Sequence, residues 1–270
     1  QRPTPLLALL IFLWMPVGIL LALFRLLVCG HFVPFRWWLP AVRMSGINIV
    51  VKGKLPEEQE QEQGGRLIVC NHRTLADPIM ISIALGRPVT AVTYSLSRVS
   101  EMVAPITTVR LDRNAAADLK KLRHLVEEEG RTVVVCPEGT TGREPLLLRF
   151  SALFAEVTDR ILPVAINTRV SLFHGTTVRG FKALDSFFFL MNPTPTYEIH
   201  FLEPLPRHAT CGSGGVPRVD VANHVQRLIA SSLGFRCSSF TRRDKYRFLV
   251  GSDGSVTPPS LQQPFSSVRG

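Results

Sequence analysis

Acidic residues are scarce in this 270-residue chain: 21 Asp and Glu stand against 31 Lys and Arg, for a formal charge of +10 and a pI near 10. An anionic partner is implied, and nucleic acid, anionic lipid and a phosphorylated substrate all qualify on charge. The signatures of nucleic-acid modules are missing. There is no RNP-like aromatic motif, no zinc-finger spacing and no long basic helix. The basic residues are scattered, as in Arg98, Arg110, Arg113, Lys120, Lys121 and Arg123, with one late cluster at Arg242-Arg243-Asp244-Lys245-Tyr246-Arg247, so no nucleic-acid partner is expected. The five cysteines, Cys29, Cys70, Cys136, Cys211 and Cys237, are odd in number and two lie in apolar strands. They are read as reduced core thiols facing the cytosol, and neither a disulfide frame nor a metal site is expected. Internal repeats are absent. Charged residues reach only 19% against 46% apolar, which suits a packed protein with part of its surface in lipid, and the length suffices for a full hydrophobic core.

From Leu6 to Phe24 the chain reads LLALLIFLWMPVGILLALF, nineteen apolar residues, enough to cross a bilayer core and longer than the apolar region of a signal peptide. Pro16 and Gly18 near its middle can kink the helix or turn it back within one leaflet, so the number of crossings is left open. Trp37 and Trp38, between Arg36 and Arg43, place residues 32 to 43 at the headgroup level. Residues 1–45 are thus expected to form a membrane anchor and interfacial segment. The chain begins at Gln1 and is expected to be a piece of a larger protein.

Beyond the anchor, INIVVKGKL predicts a strand at 47 to 52, PEEQEQEQGG a solvated loop, and LIVC a strand at 67 to 70. Further β-rich runs lie at 89 to 94, 106 to 111, 132 to 136, 161 to 166 and 196 to 202. Leu119, Leu122, Leu125 and Val126 recur at helical spacing between Asn114 and Glu128, and a second helix is expected over 220 to 233 with Asp220 as its cap and Gly234 as its stop. Strands alternating with helices predict an α/β domain over 46–250. The segment 206 to 217 is a surface loop, and 251–270 has the composition of a disordered tail.

Four clusters carry chemistry. Asn71-His72 ends a buried strand and Asp77 follows five residues on, a spacing that separates the two on one regular helix but lets a turn into a helix unite them. Histidine is the usual general base, and an aspartate on its second ring nitrogen fixes its tautomer. The alternative is that Asp77-Pro78 caps a helix and His72 bonds backbone. In VRLDR, Arg110, Arg113 and the helix start at Asn114 can hold a phosphate, unless Arg113 pairs with a carboxylate. In VVVCPEGTTGREP, an all-apolar strand runs into Glu138, Gly139, Thr140, Thr141, Gly142 and Arg143, a combination suited to phosphate or hydroxyl oxygens rather than a plain turn. It is not a P-loop, which ends in Gly-Lys-Ser/Thr. Pro163 in ILPVAIN suits an edge strand or a strand start, lining an acyl cleft or packing a core.

The order His-x4-Asp, Leu-Asp-Arg, Pro-Glu-Gly-Thr, Leu-Pro-Val resembles the glycerophospholipid acyltransferases over residues 65 to 205. CPEGTTGREPLLLRFSALFAEVTDRILPVAIN together with TRRDKYRFL looks most like the land-plant sn-2 glycerol-3-phosphate acyltransferases, which make cutin and suberin precursors. The resemblance implies a mixed sheet flanked by helices and transfer of an acyl group from acyl-CoA, a co-substrate, to glycerol 3-phosphate, with no bound cofactor or metal. It makes His72 the general base and Asp77 its orienter, gives Arg113 the substrate phosphate, Glu138 and Gly139 the glycerol moiety, and Pro163 the acceptor or acyl region. Thr141 stands where many relatives have Arg, which divides the phosphate role among Arg110, Arg113 and Arg143, and Arg110 stands where an aromatic residue is frequent. A bilayer partner, an endoplasmic reticulum location with the site facing the cytosol, and a phosphatase-like domain upstream are further implications. A lysophosphatidate acyltransferase and a non-catalytic lipid- or CoA-binding protein are the alternatives.

Overall fold

Every expected strand forms, because each is an apolar or β-branched run that buries on a sheet. The computed structural model of the chain describes residues 4–28, 33–55, 65–94, 104–178, 181–182 and 184–251; the solvated loop lies mostly, and the tail almost wholly, outside them. The strands are β1 (Asn48–Lys52), β2 (Arg66–Cys70), β3 (Thr90–Thr93), β4 (Thr107–Arg110), β5 (Thr132–Val135), β7 (Ile161–Arg169) and β8 (Thr196–Phe201), and a short β6 (Leu146–Leu147) pairs separately with β9 (Arg236–Cys237). The seven make one sheet in the order β1-β8-β7-β2-β5-β3-β4. Strands β2, β3, β4, β5 and β7 run parallel; β8 is antiparallel to β7, and β1 runs parallel to β8, so the sheet is mixed.

Strand alternation divides the core in two. Ile68 and Cys70 face one cluster with α2 (Trp38–Met44), α3 (Asp77–Leu85) and α5 (Leu184–Leu190), while Leu67 and Val69 face another with α4 (Ala115–Arg123) and α6 (Arg218–Leu233). The Asn114 side chain caps α4 by accepting from Ala117 N, and a π-helical turn, His124–Glu128, extends it to the expected end. Helix α6 begins earlier than expected: Pro217 is its N-cap, and Asp220 lies in the first turn, near the unpaired N–H groups its charge favours. The late basic cluster forms a helix of its own, α7 (Arg242–Val250), started by a capping box between Thr241 and Asp244.

Helix α1 (Pro5–Val28) runs unbroken through Pro16 and Gly18, so it does not turn back there. It is long and apolar enough to cross a bilayer by length and composition, with 11% of its most apolar window buried. One stripe is covered: Trp14 Nε1 donates to Met191 O at 2.8 Å, and Gly18, Ala22 and Arg25 are buried. A side chain at Gly18 would press on Trp14 and on Met191 O. The Arg25 guanidinium donates to the carbonyls of Ser45, Leu190, Asn192 and Pro193, tying α1 to the rest of the fold. Trp38 departs from the interfacial expectation: it is buried against Phe35, with Nε1 on Val33 O, while Trp37 stays exposed.

Pro163 is not on an edge. Strand β7 lies between β8 and β2, with Pro163 beside Val69. Its carbonyl accepts from Leu202 N, so its nitrogen faces the same side, where the β8 ladder has ended before Val164↔Phe201, and no ladder hydrogen bond is lost.

Candidate active site

Strand β2 stops at Cys70 because Asn71 turns its side chain sideways: Nδ2 donates to Ile166 O at 2.9 Å and Oδ1 accepts from Ile166 N at 2.7 Å. The next residue, His72, is held from both sides through its backbone. Its N–H donates to Glu138 Oε1 at 2.9 Å, and its carbonyl accepts from Gly142 N at 2.8 Å. The chain then bends through Thr74 into α3, which starts at Asp77 with Pro78 in its first turn.

That bend brings the expected pair together. His72 Nδ1 lies 2.9 Å from Asp77 Oδ2. The buried carboxylate also accepts from Arg73 N at 2.6 Å, Thr74 N at 3.0 Å, Thr74 Oγ1 at 3.1 Å and Tyr197 Oη at 2.9 Å. Asp77 therefore fixes the bend and the ring together; it does not cap α3, whose N-cap is Ala76, because its oxygens reach back into the turn. Removing it would leave several buried donors unmet, at about 1–3 kcal/mol each.

Sequence reasoning missed three neighbours. Tyr197 comes from β8, where an alternating strand gives no hint of polar contact; Thr74 Oγ1 also bonds it. Arg73, given no role by its place in the sequence, is a buried clamp: it donates to Glu144 O at 2.9 Å and Arg143 O at 2.8 Å, with its guanidinium over Phe235. Cys136, expected as a core thiol, has its sulfur within 4.8 Å of donor atoms on both His72 and Asp77, and 3.5 Å from Cys70 Sγ. The register Val69↔Val135 explains this, since each cysteine directly follows a paired residue. Cys237 is exposed, not core.

These groups set one another's charge. Burial works against an imidazolium at His72, yet Cys136 and Asp77 outweigh it and raise its pKa to about 10. The hydrogen bond from Cys70, with His72 beside it, pulls the Cys136 thiol down to about 6 against burial. Burial pushes Glu138 up to about 7.

The remaining expected residues divide. Glu138 is in the site, but its second oxygen accepts from Leu148 N at 3.0 Å, so its carboxylate braces the turn. Gly139 sits at φ 66, the left-handed turn that its sequence suggested. Thr140 Oγ1 is buried with no partner among the described residues. Arg143 is half exposed, with Nε 3.5 Å from Glu144. Arg110 ends β4 and Arg113 follows it, three strands from β2 and so about 14 Å across the sheet. Arg113 is exposed and holds φ 65, the one left-handed non-glycine among the described residues. Pro163 lies inside the sheet rather than at its carboxyl edge.

Residues 48–167 match the family model described as Acyltransferase. Over 259 residues the chain is 51% identical to glycerol-3-phosphate acyltransferase RAM2 of Petunia hybrida, covering 95% of this chain and 53% of that protein. Over 256 residues it is 50% identical to glycerol-3-phosphate acyltransferase 1 of Arabidopsis thaliana, covering 94% and 43%. The chain thus spans about half the length of the curated relatives it matches. The crystal structure of the 1-acyl-sn-glycerophosphate acyltransferase PlsC from Thermotoga maritima is similar at 17% identity and a TM-score of 0.48, covering 85% of this chain and 95% of that one.

Proposed function

We propose that residues 48–167, which match the Acyltransferase family model, form an acyltransferase domain, and that the chain transfers a fatty acyl group from acyl-CoA to a hydroxyl of glycerol 3-phosphate. The observation that carries this reading is the closed His72–Asp77 pair at 2.9 Å, set at the carboxyl end of a central parallel strand. An alcohol's pKa lies far above neutrality, so its attack on a thioester needs a base that takes the proton as the C–O bond forms. His72 is that base. Asp77 holds its Nδ1 and leaves the other ring nitrogen for the acceptor; the C–S bond then breaks and the CoA thiolate takes the proton from the imidazolium. His72 acts only once it has lost the proton that Cys136 and Asp77 favour, so turnover rises toward alkaline pH.

Arg113 and Arg110 are proposed as cations for the substrate phosphates, and the exposed apolar face of α1 as the contact with lipid, on the cytosolic side of the endoplasmic reticulum. The sn-2 position and a place in cutin or suberin synthesis are proposed from the sequence resemblance to the land-plant enzymes alone. Purified protein supplied with acyl-CoA and either glycerol 3-phosphate or lysophosphatidate, followed by positional analysis of the product, tests the reading. Product from glycerol 3-phosphate supports it, product from lysophosphatidate alone replaces the acceptor, and no product from either removes the activity.

A further inference from the structure

Two lysines from segments distant in sequence converge on Thr141. Lys182 Nζ donates to Thr141 Oγ1 at 2.9 Å, and Lys245 Nζ, from α7, donates to Thr141 O at 2.5 Å. Lys182 reaches a carboxylate only at 3.7 Å, on Asp185, and Lys245 has no ion pair among the described residues. Both feel each other's charge, and Arg73 adds to it; burial and these cations press the Lys245 ammonium toward neutrality, while Glu144 and Glu138 oppose them. Burial and the positive charge of Arg143 press the His174 imidazole toward its neutral form. Beside the lysines, Thr140 Oγ1 is buried with no partner among the described residues, and a side chain at Gly142 would meet nothing within 4 Å, so there is both a hydroxyl and open space. Gly142 itself donates to the His72 carbonyl, which puts this loop one hydrogen bond from the base.

We infer that Lys182 and Lys245 bind a phosphate monoester over Thr140–Gly142, next to His72. The inference deepens the acyltransferase reading and rests on it for the identity of the substrate, though not for the anion. Two ammonium groups held half-buried side by side repel each other until a dianion lies between them, and charge-assisted bonds to phosphate are the strong kind. The acceptor's phosphate and the phosphates of CoA share this chemistry.

The full chain, purified in detergent, is titrated with inorganic phosphate by calorimetry, and initial rates are measured with glycerol 3-phosphate and acyl-CoA varied separately. Lys245→Gln and Lys182→Gln are expected to weaken phosphate binding about tenfold or more, with Lys245→Arg near wild type. A matching rise in KM for glycerol 3-phosphate assigns the site to the acceptor, and one for acyl-CoA assigns it to the donor. Phosphate binding and both KM values unchanged in the Gln variants, with unaltered thermal unfolding, would overturn the inference. If the protein has no transferase activity, the phosphate titration alone decides, so the two readings fail separately.

Discussion

Two turns at the carboxyl edge of the same sheet use one device for different ends. After β2, Asp77 in the first turn of α3 reaches back to the N–H groups of Arg73 and Thr74; after β4, Asp118 in the first turn of α4 reaches back to Asp112 N at 2.9 Å. Both carboxylates are buried, and both helices are thereby locked to the strands they follow. The difference lies in what else the turn holds. The first encloses His72 between Asp77, Cys136 and the Glu138 brace, while the second leaves Arg113 exposed in a left-handed conformation. A helix-borne aspartate is thus a scaffold in both, and becomes part of a reactive pair only where an imidazole shares its oxygen.

Breaking the first turn should have the largest effect. His72→Ala is expected to lower kcat/KM by about 10²–10⁴-fold with glycerol 3-phosphate and acyl-CoA while the protein stays folded, because the ring is removed and the backbone bonds of the turn to Asp77 remain. Wild-type turnover in that variant removes the mechanism.

Asp77→Asn separates orientation from shape. It keeps the volume but turns an amide donor toward donors, so both kcat and stability should fall, stability by about 1–3 kcal/mol in a denaturant melt. Asp118→Asn, the parallel change in the second turn, should cost about 1 kcal/mol of stability with a far smaller loss of kcat. Equal losses of kcat in the two variants would erase the distinction between the turns.

The pH profile tests the neighbour that only the first turn has. With His72 raised to about 10, activity should climb through neutral and alkaline pH as the imidazolium deprotonates. Cys136→Ala removes the thiolate that supports that charge, so the His72 pKa falls and the rising limb should move to lower pH. An unmoved limb would show that Cys136 does not tune the base.

The smallest change concerns the second turn. Arg113→Gly relieves a left-handed backbone and is expected to raise stability by up to about 1 kcal/mol, while KM for glycerol 3-phosphate increases. A stability gain with no change in KM would leave Arg113 without a substrate role.

Much of this was legible beforehand, for local reasons. All seven strands of the main sheet lie where apolar and β-branched runs put them, within one residue at each end except that β7 continues to Arg169. The His72–Asp77 pair was readable because five residues suffice for a strand, a bend and a helix start. Tyr197, Cys136 and the Arg73 clamp were not, because each meets the site across the sheet and lateral strand order leaves no mark on local pattern. Trp38 misled for a related reason. Near an apolar helix its residue type suits a lipid headgroup, but here its partner is the Val33 carbonyl.

Periodicity, turn residues and spacing by themselves determined the α/β class, the long apolar N-terminal helix and the nearness of His72 to Asp77, since each depends on neighbours along the chain. Only the tertiary structure decided what surrounds His72: β2 had to lie between β5 and β7 before Cys136, Glu138 and Ile166 reached its end, and α7 had to fold back before Lys245 met Thr141. The physical reason is that a hydrogen bond or a charge acts over a few ångströms of space, whatever the distance along the chain.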